Sequence, residues 1–264
     1  MLSLKFKNNT ALVNEKRHLS SLIDVYSKGN DQEKINAVIR SLGARTFFPF
    51  ISDKQAVALE LGCSNGFMAN LIAEKIQAVH VLEGVHELII EVEKDAKSNV
   101  KFIHTLFEEF NSDQKYDYVF ALFVLEHVFD VQEVLNMVKR VLKPGGILFI
   151  TVPNARALSR QFARHMGIIQ DLKELTENDV CFGHRRVYDR CTLNEELNQA
   201  GFSQIMQGGL LLKILADFQL NELLNNGFLS ENHIDALYKL GLEYPDLCGS
   251  LFSICKLTKD NCCC

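Results

Sequence analysis

The stretch that most constrains the fold runs from Ala56 to Ile76 and has the sequence AVALELGCSNGFMANLIAEKI. Its first residues predict a buried strand, Glu60 follows that strand, and the next turn carries Gly62 and Gly66. An apolar helical pattern begins immediately after the turn. Strand, glycine turn and helix in succession let backbone N–H groups approach a ligand closely in an open α/β sheet. The stretch therefore predicts a site for a nucleotide-like cofactor.

Downstream of this stretch, short apolar segments alternate with amphipathic helical patterns. Near-continuously apolar strands separated by helices are typical of a parallel sheet covered on both faces. Pro144, Gly145 and Gly146 follow the last helix of the alternation, as helix-ending residues should. We therefore predict an α/β fold, a Rossmann-like and mostly parallel seven-stranded sheet with helices on both faces. The predicted strands are 56–59, 79–82, 101–103, 118–123, 147–152, a broken strand at 202–206 and 210–212, and 251–257.

Helical patterns also flank the sheet. Residues 11–42 contain two of them, with a break at Gly29-Asn30, and these helices either cover the cofactor site or only pack against the domain. More helix is predicted after the fifth and sixth strands, and Thr192 to Glu195 has the pattern of a capping box that opens a helix. No linker rich in Pro, Gly or Ser interrupts the chain, so we predict one domain. It comprises residues 1–264, with N-terminal helices at 1–50, a cofactor-binding core at 51–152 and a substrate-side insertion, last strands and tail at 153–264.

Composition argues against several classes of protein. The 264 residues carry a net charge of −5, whereas a general nucleic-acid binder normally presents a basic face. No stretch reaches the roughly 18 apolar residues needed to span a bilayer, so we expect a cytoplasmic protein without membrane contact. The eight cysteines lack paired C-x-x-C spacing, and no carboxylate–histidine cluster has metal-ligand spacing, so no metal is predicted.

The glycine turn matches one known catalytic pattern in full and a dinucleotide-binding pattern in part. Residues 62–66 match G-x-S-x-G, the nucleophile elbow of α/β-hydrolases, which would make Ser64 a nucleophile. Against this, Ser64 follows the first strong strand, and no HGGG-type oxyanion segment precedes it. The dinucleotide-binding pattern G-x-G-x-x-G requires glycine where Ser64 and Phe67 stand, so it fails at two of three positions.

Four sequence motifs follow one another between residues 60 and 152. They are the glycine turn ELGCSNG at 60–66, Glu83 at the end of the second strand, FALFVLEHV at 120–128, and LKPGG at 142–146 with the strand after it. This set resembles class I S-adenosylmethionine-dependent methyltransferases, whose motif I is E/D-x-G-x-G-x-G, with Ser64 at the middle glycine. The segments after residue 183 are broadly similar to small-molecule methyltransferases of quinone and sugar biosynthesis.

The resemblance implies S-adenosyl-L-methionine as cofactor and S-adenosyl-L-homocysteine as product. Glu83 would hold the ribose, and Leu106 and Phe107 would flank the adenine, although core packing explains these two residues equally well. The other expected contacts lie around the methionine end of the cofactor and at the glycines that let the backbone approach it. The full set of cofactor-binding residues implied is Glu60, Gly62, Cys63, Gly66, Glu83, Leu106, Phe107 and Leu122.

Catalytic and acceptor residues are predicted in two segments. His127, after the fourth strand, and His184 are the candidate general bases, with a structural role as the alternative for each. Arg185, Arg186 and Tyr188 are predicted to bind the acceptor, because two arginines can recognise an anionic group; a solvated basic turn is the alternative.

The predicted activity is methyl transfer to an oxygen or nitrogen of a small molecule, for which an anionic or sugar-like acceptor is one option. The protein is expected to act as a monomer or homodimer. The alternatives are a catalytically silent cofactor-binding protein of interaction or regulatory function and, more remotely, a serine hydrolase that uses Ser64.

Overall fold

The computed structural model describes residues 9–23 and 33–258, and seven strands within them form one sheet. The spatial order is β3-β2-β1-β4-β5-β7-β6 for the strands β1 Val57–Leu61, β2 Ala78–Glu83, β3 Val100–His104, β4 Tyr116–Leu122, β5 Leu142–Pro153, β6 Phe202–Leu212 and β7 Cys248–Leu257. Strands β1 to β5 pair in parallel, and β7 pairs antiparallel with both β5 and β6. The predicted mostly parallel seven-stranded α/β fold is confirmed.

Ten helices accompany the sheet in the described part of the chain. They are α1 Asn9–Ser21, α2 Glu33–Phe47, α3 Phe67–Ala73, α4 His86–Val92, α5 Val131–Val141, α6 Leu158–His165, α7 Glu177–Cys181, α8 Arg190–Gln199, α9 Asp217–Asn225 and α10 Glu231–Glu243. Short 3-10 turns lie at Phe48–Phe50, Glu93–Asp95 and Pro245–Leu247. Helix α5 begins after Asp130, whose side chain accepts hydrogen bonds from the N–H groups of Gln132 and Glu133.

Two hydrophobic layers cover the two faces of the sheet. Alternation along β5 places Leu148 and Ile150 in the layer with α5 and α8, and Phe149 in the opposite layer with α2, α3 and α10. Side chains alternate because successive Cβ atoms of a strand point to opposite faces. With both faces covered, the edge formed by the carboxyl ends of the parallel strands remains for a ligand site.

Three local predictions differ from the structure. Helix α8 begins at Arg190, with Asp189 as its cap and Thr192 as the reciprocal partner, so the capping box starts three residues earlier than predicted. Strand β6 is continuous through residues 207–209, where a break was expected, and its register irregularity lies earlier, between Gln204 and Met206. Strand β5 starts at Leu142, because that residue already pairs with Tyr116 ahead of the Pro-Gly-Gly segment.

Helices α1 and α2 lie against the carboxyl edge of the sheet. In α1, Lys16 forms an ion pair of 3.0 Å with Glu109, and Leu19 contacts the segment around Gly84 closely enough that a Cβ there would lie 2.9 Å from its methyl group. The predicted break at Gly29-Asn30 lies outside the described residues. Of the helices that are described, none combines the length and apolarity needed to cross a membrane.

Candidate active site

A cavity of about 1030 Å³ opens at the carboxyl ends of β1, β2, β4 and β5. Its wall also includes side chains of α1, α2 and α6 and of the loop before α8. Ligand cavities in proteins commonly span about 300–1,000 Å³, so this one has room for a cofactor and a second small molecule together. The N-terminal helices therefore cover the site as well as packing on the domain.

The turn between β1 and α3 is shaped by positive backbone φ angles. Gly62 has φ of 79° and Gly66 has φ of 73°, a region that glycine occupies without the steric cost paid by other residues. The Gly66 N–H donates to the Cys63 carbonyl at 2.8 Å, which closes the turn. Gly62 and Cys63 line the cavity, whereas Gly66 does not and supports the turn from behind.

Glu83 is fixed beside this turn by backbone donors. Its carboxylate accepts hydrogen bonds from the Cys63 N–H at 3.1 Å and the Val85 N–H at 2.9 Å. Each carboxylate oxygen has a further lone pair, so the group can accept two more hydrogen bonds from a ligand. Since Glu83 lines the cavity, its geometry suits a pair of neighbouring hydroxyl groups such as those of a ribose.

Glu60 carries a buried carboxylate that the protein leaves partly unpaired. Its Oε2 atom has no hydrogen-bond partner among the described residues. Burial raises the pKa of Glu60 to about 8, and the nearby Arg40 guanidinium acts in the opposite direction. An ammonium group bound in the cavity would pair with this carboxylate and restore its charge.

Arg40 of α2 is a site residue that the sequence interpretation did not select. Its guanidinium donates to Ser64 Oγ at 2.7 Å and to Asn65 Oδ1 at 3.3 Å, directly over the glycine turn. Arginine cannot accept the Ser64 proton, because its guanidinium stays charged at any ordinary pH. The hydroxyl of Ser64 thus faces a cation where a hydrolase requires a base, which disfavours the hydrolase alternative.

The predicted adenine-flanking residues also lie in the cavity wall. Leu106 is buried and Phe107 is half-buried, and both contribute apolar surface there. Glu108 lies beside them, and burial raises the pKa of its carboxyl group to about 7. Leu122, at the end of β4, completes the set of predicted cofactor residues that line the cavity.

A carboxylate and two histidines meet on the far side of the cavity. Ligand atoms of Glu126, His127 and His184 all lie within 4.8 Å of one another, and the two imidazole rings are T-shaped at 4.7 Å. Glu126 is fully buried, and neither of its oxygens has a described partner. Burial raises the pKa of Glu126 to about 7, while burial and then the neighbouring His184 lower the pKa of His127 to about 3.

This cluster corrects one inference from the sequence. The prediction that no carboxylate–histidine group has metal-ligand spacing was wrong, because the fold brings His184 beside Glu126 and His127 from a distant segment. That the protein needs no metal stays a prediction. Glu126 itself carried a sequence signal, since it belongs to the L-E-H-V motif that drew attention to His127.

His184 is held by a second buried carboxylate, Asp179 of α7. Asp179 Oδ1 lies 3.1 Å from His184 Nδ1, and Oδ2 accepts from Arg160 at 3.0 Å and from the Thr176 hydroxyl at 2.8 Å. Burial acts to raise the pKa of Asp179, but the hydrogen bonds from His184, Thr176 and Arg160 lower it overall. The result is an ionised carboxylate that orients an imidazole at the cavity wall.

The three predicted acceptor-binding residues do not line the cavity. Arg185 pairs with Glu15 of α1 at 2.8 Å, and Tyr188 is buried. Arg186 donates to the carbonyls of Leu125 at 2.7 Å, Val128 at 2.6 Å and Phe129 at 3.1 Å. These contacts hold the loop after β4, which carries Glu126 and His127. Arg186 therefore supports this loop and does not contribute to the cavity wall.

Comparison with known proteins agrees with this geometry. The family model described as "Methyltransferase domain" matches residues 32–207. A ubiquinone biosynthesis O-methyltransferase of Rickettsia bellii (strain OSU 85-389) is 32% identical over 125 residues, which cover 46% of this chain and 50% of that protein. The chain therefore spans about half the length of the curated relatives it matches.

Solved structures share the fold at low sequence identity. The 1,6-didemethyltoxoflavin-N1-methyltransferase of Burkholderia thailandensis, solved with 1,6-didemethyltoxoflavin and S-adenosylhomocysteine, has a TM-score of 0.59 at 16% identity, covering 95% of this chain and 89% of that chain. A methyltransferase solved in complex with the Haloferax volcanii Trm112 activator has a TM-score of 0.60 at 14% identity, covering 90% and 97%. At these identities the likeness concerns the fold.

Proposed function

The chain belongs to the class I S-adenosylmethionine-dependent methyltransferases, and we propose that it moves the cofactor's methyl group to a hydroxyl oxygen of a small molecule. The predicted cofactor, S-adenosylmethionine, is confirmed by the family match and by relatives solved with S-adenosylhomocysteine. The observation that carries the choice of a hydroxyl is the Asp179–His184 pair in the cavity wall. A hydroxyl must lose its proton when it is methylated, and this pair can accept that proton.

The residues around the glycine turn fit the cofactor chemically. The unpaired Glu60 oxygen suits the ammonium of a methionine moiety, and the Glu83 carboxylate suits two ribose hydroxyls. We assign Gly62 and Cys63 to backbone contacts, Leu106 and Phe107 to the adenine, and Leu122 to the methionine end. When bound, the cofactor supplies an electrophilic methyl group, so the protein has mainly to align the acceptor and remove a proton.

We assign the proton to His184 and not to His127. The Asp179 carboxylate engages His184 Nδ1, which leaves Nε2 to take the acceptor's proton and stabilises the imidazolium that forms. His127, with its pKa lowered to about 3, remains neutral and is a poor proton acceptor at ordinary pH. Its role would be to hydrogen bond and orient the acceptor beside Glu126. His184 would take the hydroxyl proton of the acceptor, while bound S-adenosylmethionine would supply the methyl group to that oxygen.

Of the two alternatives, the nitrogen acceptor has support of its own. The Burkholderia relative is named for methylation of a nitrogen, and a neutral nitrogen acceptor needs no base before the methyl is transferred. A catalytically silent cofactor-binding protein would use the same turn without the Asp179–His184 pair. The Rickettsia relative, named as an O-methyltransferase, supports the oxygen acceptor.

The test is incubation with labelled S-adenosylmethionine and a metabolite extract, followed by paired phenol and aniline acceptors. We expect labelled methyl ethers, with transfer reduced by Asp179→Asn while S-adenosylhomocysteine affinity is kept. Transfer to anilines alone would favour the nitrogen acceptor. Cofactor binding with no transfer to any compound would favour the silent protein.

A further inference from the structure

The cavity extends beyond the methyl-transfer region onto the second half of the sheet. Its floor there is built from the carboxyl end of β5, the start of β7 and the end of β6. Ser250 of β7 lies between Pro153 of β5 and Leu210 of β6 in the strand register. Thr151, Leu210 and Ser250 all line the cavity, so two hydroxyl groups and an apolar side chain share this floor.

Lys213, just after β6, brings a cation to the same floor. Its side chain is only 9% exposed, although it belongs to a residue type that is almost never buried without a partner. A Cβ at Gly249 would collide with Lys213 Cε, so the glycine makes room for the lysine stem across the start of β7. The placement of the ammonium therefore depends on local packing as well as on its charge.

The ion pair of Lys213 is open on one side. Its described partner is Asp217, whose side chain is 33% exposed. An ammonium has three donors, so pairing with Asp217 leaves capacity for a ligand oxygen. The other cations of the cavity wall are more fully engaged: Arg40 binds the glycine turn, and Arg160 binds Asp179 and the Leu172 carbonyl.

The carboxyl groups around the cavity explain why the Lys213 ammonium matters for binding an anionic ligand. The cavity wall contains the carboxyl groups of Glu83, Glu91 and Asp95, and the whole chain carries a net charge of −5. An anionic ligand would be repelled from such a wall unless a cation met it locally. Lys213, which follows β6, supplies that cation. It lies on a different segment of the chain from the proposed base His184.

We propose that Lys213, together with the Thr151 and Ser250 hydroxyls, binds a carboxylate or similar anionic oxygen group of the acceptor. This inference rests on the proposed function and deepens it, because it defines the acceptor as a small hydroxy acid. The hydroxyl is methylated near His184, and the acid group is held at Lys213. Anion recognition, which the sequence assigned to Arg185 and Arg186, thereby moves to a residue that lies in the cavity.

The test measures equilibrium binding without turnover. Wild type, Lys213→Met and Lys213→Arg, each saturated with S-adenosylhomocysteine, are titrated by calorimetry with 3,4-dihydroxybenzoate and with catechol, which lacks the carboxylate. We expect wild type to bind the carboxylate probe at least about tenfold more tightly than catechol, as charge-assisted hydrogen bonds would give. Lys213→Met should lose this preference and Lys213→Arg should keep most of it.

Three results would overturn the inference: no binding of 3,4-dihydroxybenzoate to wild type, equal affinity of wild type for both probes, or an unchanged preference in Lys213→Met. Unchanged S-adenosylhomocysteine affinity in each variant shows that the fold is intact. Should Lys213→Met fail this control, the double variant Thr151→Val/Ser250→Ala provides the same comparison. Because no step involves methyl transfer, a failure of the proposed reaction leaves the binding result interpretable.

Discussion

Asp179 Oδ1 lies 3.1 Å from His184 Nδ1, and this contact joins the short helix α7 to the loop that faces the end of β4. Asp179 is itself anchored by Arg160 and by its capping interaction with Thr176. A histidine whose first nitrogen is fixed by an ionised carboxylate has a defined orientation and a second nitrogen for proton transfer. In the proposed mechanism, the insertion after β5 therefore contributes to proton transfer as well as covering the cavity.

The first prediction concerns this pair. His184→Gln should lower kcat about 100-fold, the lower range for loss of a general base, while S-adenosylhomocysteine affinity stays within a factor of two. The measurement is steady-state kinetics with calorimetry on the same preparation. The matched control is His165→Gln, an exposed histidine at the end of α6. Equal kcat in His184→Gln and wild type would make His184 structural.

The second prediction follows from the raised pKa of Glu60. At pH 7 the free protein holds Glu60 mainly protonated, because its pKa is about 8. Pairing with a bound ammonium lowers that pKa, so cofactor binding should release protons at pH 7 and affinity should rise as the pH approaches 8. Calorimetry in buffers of different ionisation enthalpy measures the release. It should disappear in Glu60→Gln and persist in Glu91→Gln, and persistence in Glu60→Gln would exclude this role.

The third prediction addresses the ribose contact. Glu83→Ala should weaken S-adenosylhomocysteine binding by more than about 1 kcal/mol, the scale of a hydrogen bond to a charged group. Glu83→Gln keeps an acceptor oxygen for the backbone N–H groups and should lose less. Calorimetry compares the three proteins, with thermal unfolding as the check on folding. Unchanged affinity in Glu83→Ala would remove Glu83 from the cofactor site.

The fourth prediction tests whether Arg186 stabilises the loop after β4 or binds the acceptor. Arg186→Met should lower the free energy of unfolding by about 1–3 kcal/mol, since the loop after β4 loses hydrogen bonds from a charged donor. Arg164→Met, on the exposed surface of α6, should change it little. Urea unfolding measures both variants. A variant of Arg186 with wild-type stability and a raised KM for the acceptor would restore the direct binding role expected from the sequence.

The sequence predicted the parts of the site that are local along the chain. Glu60 lies near the end of β1, Gly62 and Cys63 follow that strand directly, and Glu83 ends β2. Strand periodicity and topology therefore suffice to place them at one edge of the sheet. Arg40 escaped because its role depends on a tertiary contact with Ser64 of another segment, and Asp179 escaped because its contact with His184 depends on how the chain turns after α7. No spacing rule reports such contacts.

Arg186 illustrates the opposite case. Two arginines in an acidic chain suggested an anion site, yet a guanidinium satisfies backbone carbonyls as readily as a ligand, and the fold presents three carbonyls to Arg186. Lys213 gave no signal, because an isolated lysine in a sequence is usually exposed. Its burial became visible only with Gly249 and Asp217 in place.

The most direct test of the central claim is where the methyl group goes when oxygen and nitrogen compete in one acceptor. The protein is incubated with S-adenosylmethionine labelled at the methyl carbon and with 2-aminophenol, and NMR locates the label in the product. The proposed function predicts the label on oxygen, with transfer lowered in His184→Gln. Label on nitrogen, at a rate unaffected by His184→Gln, would contradict it.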